Sequence, residues 1–234
     1  MSVSSETLEC LDWVVKEVKE KGLSMSPILI YCRKINSIQR VFNYLIGVLD
    51  DFAYVERDPD QKPENVLVGM FHSMTHAEDK RRLSALSGGE ESCIVIVATT
   101  ALGMGLNFRN VSHVIMYGVP GDVEDIVQQA GRAGIDGSQS HAVVYVVKEH
   151  QRTDEGIKEF LKKCKTGCIR EALYCKFEEN TTRVVPGHTY CTHCLSLCSC
   201  NNEGCVELKP IFELVLKKVP GRCRHVWVIS NGNR

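Results

Sequence analysis

The sequence predicts an α/β fold built on a doubly wound parallel sheet, and three observations carry that expectation. Five short apolar runs alternate with amphipathic segments along the first 150 residues. The runs are continuous rather than alternating in polarity, which is the pattern of strands covered on both faces. Parallel strands joined through helices cross over with one hand, so helices end up on both sides of the sheet. A chain of 234 residues, 44% hydrophobic and 24% charged, is long enough to bury one such domain and a smaller appendage. The expected division is 1–150 for the sheet domain, 151–205 for a small helical, cysteine-rich subdomain, and 206–234 for a tail.

Taken in order, Leu8, Leu11, Val14, Val15 and Val18 recur at helical spacing, and Gly22 is placed to stop that helix. Pro27 leads into the first strand, ILIYC (Ile28 to Cys32), and Asn36 and Ser37 offer caps for a helix carrying Val41, Phe42, Leu45 and Leu49. Asp50 to Pro63 is polar and reads as a loop before the strand VLVGMF (Val66 to Phe71). Thr75 and Glu78 form a capping box for a helix through Lys80, Leu83 and Leu86 that stops at Gly88-Gly89. CIVIVA (Cys93 to Ala98) and HVIMYGV (His113 to Val119) are the third and fourth strands. Asp122 caps a helix running through Val127, HAVVYVV (His141 to Val147) is the fifth strand, and a helix from about Asp154 to Lys163 leaves the domain. In the tail, FELVLKKV and HVWVIS are spaced to form a hairpin around Pro220-Gly221.

Composition narrows the function classes. No apolar run approaches the roughly 20 residues a membrane span needs, and the start MSVSSETLEC has neither a basic nor an apolar signal region. The expected setting is a reducing intracellular compartment without membrane contact. There, clustered thiols bind metal more often than they form disulfides. Eight of the 12 cysteines fall between Cys164 and Cys205. A net charge of -1 gives no overall pull toward phosphate, so any nucleic-acid contact has to be local.

Two segments carry the chemistry. ATTALGMGLNFRNV, from Ala98 to Val111, follows the third strand. Ligand sites of open α/β sheets gather at the carboxyl ends of strands, where Thr99, Thr100, Gly103 and Gly105 lie. Glycines let a backbone approach phosphate and hydroxyls can donate to it. A ligand-free tight turn is the plainer alternative. A dinucleotide fingerprint is disfavoured because GMGLNF lacks its third glycine. The second segment, QQAGRAGIDG (Gln128 to Gly137), closes the helix capped by Asp122.

Together these segments resemble motifs V and VI of superfamily 2 helicases, most closely the RecQ family, which usually reads ATVAFGMGI(N) and QExGRAGRDG. The resemblance covers about Pro27 to Cys200 and implies the second of two RecA-like lobes, which close on ATP. It implies that Thr99 and Thr100 grip the sugar-phosphate backbone of the tracked strand, and that Gly103 to Asn107 couple that grip to the nucleotide cleft. Arg132, with Gln128, would face the γ-phosphate, and Asp136 would sit at the cofactor edge. Such an arginine is worth on the order of 10³ to 10⁵ in rate. Ile135 occupies the place of the second arginine and Gln129 that of a glutamate, so this copy is expected to be slower than its relatives. FHSMT and YCRKINS fall where strand-contacting segments lie, which makes His72, Arg33 and Ser37 further candidates.

The cysteines supply a second signal. Cys191-Thr-His-Cys194 is a C-x2-C knuckle whose thiolates have the bite of tetrahedral zinc. Cys168 precedes IREALYCKF, which resembles the helix carrying the first zinc ligand in RecQ proteins. Cys198 is the favoured fourth ligand, with Cys200, Cys164, His193 and His188 as competitors, while Cys175 suits a plain buried thiol. A four-thiolate zinc has no open position and is structural. From Cys164 to Arg234 there are 10 Lys and Arg against 6 Asp and Glu, a mild basic bias.

The resemblance therefore implies part of an ATP-dependent 3′-to-5′ DNA helicase of repair and recombination, nuclear, contacting a single-strand/duplex junction. No GxxxxGK[ST] loop occurs in these residues. ATP and Mg are expected to bind only together with a first lobe, missing here or carried on a separate chain, and the chain alone is expected to hydrolyse none. The alternative expectation is a non-catalytic, zinc-containing DNA-binding or protein-interaction module, and a third is a gene-model fragment.

Overall fold

A computed structural model describes residues 8–55, 60, 62, 65–75, 93–99, 110–147, 154–177 and 191–197, and the backbone of 223–231. The expected helix after Thr75, Thr100, Gly103, Gly105, Asn107, His188, Cys198, Cys200 and the FELVLKKV segment lie outside the described residues.

Five parallel strands form the sheet: β1 (Ile28–Cys32), β2 (Val68–Phe71), β3 (Val95–Ala98), β4 (His113–Tyr117) and β5 (Ser140–Val147). A sixth, β6 (Cys223–Asn231), runs antiparallel to β5, and the order is β2-β3-β1-β4-β5-β6. The tail segment HVWVIS is therefore a strand, as expected, but its partner is β5 of the sheet domain. The helices are α1 (Asp12–Lys21), α2 (Ile35–Leu49), α3 (Val123–Ala130), α4 (Glu155–Lys163), α5 (Ile169–Tyr174) and α6 (Thr192–Ser196).

The double winding follows from strand alternation. Ile28, Ile30 and Cys32 of β1 join a cluster with α1 and α2, while Leu29 and Tyr31 join the opposite one with α3, α4 and α5. Both faces of β1 and β3 are buried, which is why those runs are continuously apolar. On α2, Ile38, Val41, Leu45 and Leu49 are fully enclosed, each worth about 1.5–3 kcal/mol. Ile157, Phe160, Ile169 and Leu173 of α4 and α5 belong to the second cluster. The start of the cysteine-rich region thus shares its core with the sheet.

Local signals held unevenly. Asp122 caps α3 by accepting from the Asp125 N–H at 2.7 Å, and Asp154 caps α4 through the Gly156 N–H at 2.7 Å. Gly22 ends α1 at φ 50°. Asn36 and Ser37 do not cap α2. The helix starts at Ile35 behind Lys34, which makes no side-chain cap bond, and Ser37 is buried within the first turn. The N-terminal segment is fastened across the sheet. Trp13 Nε1 donates to the Tyr145 hydroxyl at 2.8 Å, and that hydroxyl donates to the Cys10 carbonyl at 2.9 Å.

Candidate functional site

Sheet order gathers residues that are far apart in sequence. Because β2, β3 and β1 are neighbours with Phe71, Ala98 and Tyr31 in register, His72, Thr99 and Cys32 follow side by side along the carboxyl edge, with Arg33 one residue further. The Thr99 N–H donates to the Phe71 carbonyl at 3.2 Å, extending the pairing one residue. Arg33 is exposed and its guanidinium reaches toward Gly121 and Asp125, at the start of α3. His72 shapes its own turn: its N–H donates to Thr75 Oγ1 at 2.8 Å and its Nδ1 accepts from the Met74 N–H at 3.2 Å. Ser37, by contrast, is turned inward.

The arginine segment lies at the other end of the strands. The chain turns after α3 and the Gly134 N–H donates to the Val111 carbonyl at 3.1 Å, just before β4. Gly134 has φ +66°, and a Cβ there would meet Ser140 Oγ at 2.4 Å and the Ser138 carbonyl at 2.7 Å. Only glycine fits, so the path of the turn presenting Arg132 depends on that residue. Asp136 tightens it further, accepting from the Ser138 N–H at 3.1 Å and hydroxyl at 2.7 Å, and these bonds hold its carboxyl below the usual range. Gln128 and Ile135 face solvent, Ile135 at 53% exposure. Gln129 is buried, and its Oε1 has no hydrogen-bond partner among the described residues.

Tyr31 is a neighbour of Arg132 that the sequence does not single out. Burial pushes its phenol up to about 12, while the Arg132 guanidinium pulls the other way. The signal was present only as an aromatic near the end of an apolar run. His113 and His141, the first residues of two apolar runs, were likewise not singled out, although they face each other across β4 and β5.

The thiols converge as expected. Cys168, Cys191 and Cys194 have their sulfurs within 4.8 Å of one another, and the Cys168 and Cys191 sulfurs are 3.9 Å apart. A tetrahedral ion with metal-sulfur bonds of about 2.3 Å holds its ligands roughly 3.8 Å apart. The donor set also fits: Cys191 Sγ accepts from the Cys194 N–H at 3.4 Å and from the Ile169 backbone, and Cys168 Sγ from that of Glu171. Such bonds stabilise thiolates. The hydrogen bond from Cys168 lowers the Cys191 thiol to about 7, and donating that bond raises Cys168. Cys164 lies in the core and outside the triad, with burial pushing it up to about 12. Cys175 corrects an expectation: it is exposed, with Lys163 Nζ 3.8 Å from its sulfur. Cys175 follows α5 on the side away from Ile169, Ala172 and Leu173, which carry the buried face.

Residues 9–137 match the family described as Helicase conserved C-terminal domain, and the chain belongs to that family. Its relatives include ATP-dependent DNA helicase Q-like 5 of Arabidopsis thaliana, 31% identical over 118 residues, which are 50% of this chain and 11% of that protein. ATP-dependent DNA helicase Q4 of Homo sapiens is 31% identical over 123 residues, 53% of this chain and 10% of that protein. The aligned stretch spans about a tenth of these relatives. Among solved structures, Mss116p DEAD-box helicase domain 2 bound to an RNA duplex aligns at TM-score 0.48 and 18% identity, over 70% of this chain and 57% of that one. Among the described residues no helix is long and apolar enough to cross a membrane.

Proposed function

We propose that this chain is the second RecA-like lobe, with its metal-binding segment, of a RecQ-type ATP-dependent 3′-to-5′ DNA helicase acting in the nucleus. The observation that carries the reading is Arg132 on a turn whose backbone path requires Gly134, within a helicase C-terminal domain. A guanidinium held in advance stabilises charge developing on a transferred phosphoryl group without reorganising at that moment. Gln128 and Asp136 would support the same edge. At the carboxyl edge Thr99, Arg33 and His72, joined by Thr100 and Asn107, would hold the DNA strand at a single-strand/duplex junction. Gly103 and Gly105 would couple that grip to lobe closure.

Cys168, Cys191 and Cys194, with Cys198 as fourth ligand, would hold a structural zinc, which supplies a cross-link between helices and no chemistry. ATP and Mg would be bound only with a first lobe, so these residues alone hydrolyse no ATP. A second reading, a non-catalytic DNA-binding or protein-interaction module, is supported by the exposed Ile135 where a second arginine is expected.

The test is DNA-stimulated ATPase and binding to a fluorescent junction oligonucleotide, with the chain alone and with a RecQ first lobe added. DNA binding with no ATPase alone, and ATPase on addition of the lobe, are expected. Turnover by the chain alone overturns the division of labour. Binding without any turnover in the completed pair favours the second reading.

A further inference from the structure

We infer that the thiol cluster closes a clasp, the short helix α6, that keeps β6 docked on the edge of the sheet. The inference rests on the metal-binding reading but concerns a strand which that reading does not use. Among the described strands β6 is paired on one side only, with β5, from Ser140 opposite Asn231 to Val147 opposite Cys223. Both α5 and α6 lie against it. An edge strand held mainly by one ladder opens more readily than a central one.

α6 straddles that margin. Leu195 packs against the cluster shared with α1 and α2, whereas Cys191 and Cys194 pack with the cluster on the opposite face of the sheet. A helix touching both faces has to pass around the open edge, and that edge is β6. Yet α6 has little to hold it in place. It is five residues long with no buried residue of its own, and a helix that short does not persist unaided.

What fixes α6 is its cap. Cys191 is fully enclosed, its sulfur accepts the Cys194 N–H, and Cys168 at the start of α5 stands 3.9 Å away. α5 is anchored in the core through Ile169, Ala172 and Leu173. A metal bridging the three sulfurs therefore ties α6 to an anchored helix. With the tie cut, α6 is lost as a surface against which β6 packs.

The test is hydrogen exchange on the full chain, zinc-loaded and after chelation, with zinc content measured on the same samples. Chelation should speed exchange of amides 223–231 by at least about tenfold while β1 and β4 keep their protection. Leu195→Asp, at a position that is not a ligand, should have the same effect with zinc still bound. Bound zinc with 223–231 unchanged on chelation overturns the clasp and leaves the metal reading standing. Absence of zinc from protein purified under reducing conditions overturns both. Loss of protection throughout, β1 and β4 included, also overturns the clasp, because the dependence would then be global.

Discussion

Lowering the pH from 7 to 5 should destabilise this protein by about 4 kcal/mol, and the structure locates the cause at one stacked pair. His113 opens β4 and His141 lies directly opposite on β5, with ring centroids 5.3 Å apart and planes at 17°. Trp13 of α1 meets His113 edge-on at 5.3 Å, and Ser112 Oγ lies 2.8 Å from its Nδ1. His113 Nε2 is enclosed, with no hydrogen-bond partner among the described residues. Burial first, then the charges of His141 and Lys21, lower His113 from 6.5 to about 3, and burial lowers His141 to about 4. Both are neutral at pH 7.

A depressed histidine pKa means that the unfolded chain takes up protons the folded one refuses. Stability is therefore complete above about pH 6.5, falls as the pH drops through the window between, and levels off below about 3 to 4. At pH 5 the medium is about 1.5 units below the unfolded value, which at 1.36 kcal/mol per unit is about 2 kcal/mol for each histidine. Urea unfolding followed by tryptophan fluorescence at pH 7 and 5 measures the loss. In His113→Phe/His141→Phe most of it should vanish. C2 proton resonances assigned to His113 and His141 that titrate near 6.5 in the folded wild type would refute the reasoning without depending on the variant's folding.

Three other outcomes follow from named contacts. Gly134→Ala should lose about 1–3 kcal/mol of stability in thermal unfolding, because its Cβ would collide with Ser138 and Ser140 at a left-handed φ; wild-type stability would mean that the turn accommodates a Cβ. Tyr145→Phe removes the hydroxyl linking Trp13 to the Cys10 carbonyl and should lose about 1–3 kcal/mol by urea denaturation. An unchanged midpoint would count against that link. Ile135→Arg, in an enzyme completed with a first lobe, should raise kcat by at least about tenfold, and no rise would show that the position does not face the phosphate.

Much of the fold was legible because its signals are local. The five parallel strands announce themselves as apolar runs, and Asp122 and Asp154 as caps, since each depends on a few adjacent residues. The start of α2 was misread. Two good capping residues lost to the geometry of the turn leaving β1, which already places Ile35 in the helix. The exposure of Cys175 was not legible either, because its apolar character does not say which face of α5 is turned to the core. In the candidate site the closeness of Cys191 and Cys194 was legible from their spacing, and the enclosure of Gln129 and the nearness of Tyr31 to Arg132 were not.

By itself the sequence determined the fold class, the membership in the helicase C-terminal family and the residue types able to carry its chemistry, because periodicity and motif spacing are properties of a linear chain. Only the tertiary structure decided that His72, Thr99 and Arg33 share one edge while the Arg132 turn sits at the other. It also decided that Cys168, Cys191 and Cys194, around the starts of two helices, bring their sulfurs within 4.8 Å of one another, and that the tail returns to pair with β5. Those outcomes depend on strand order and on which element reaches a free edge, and neither is encoded within any one segment.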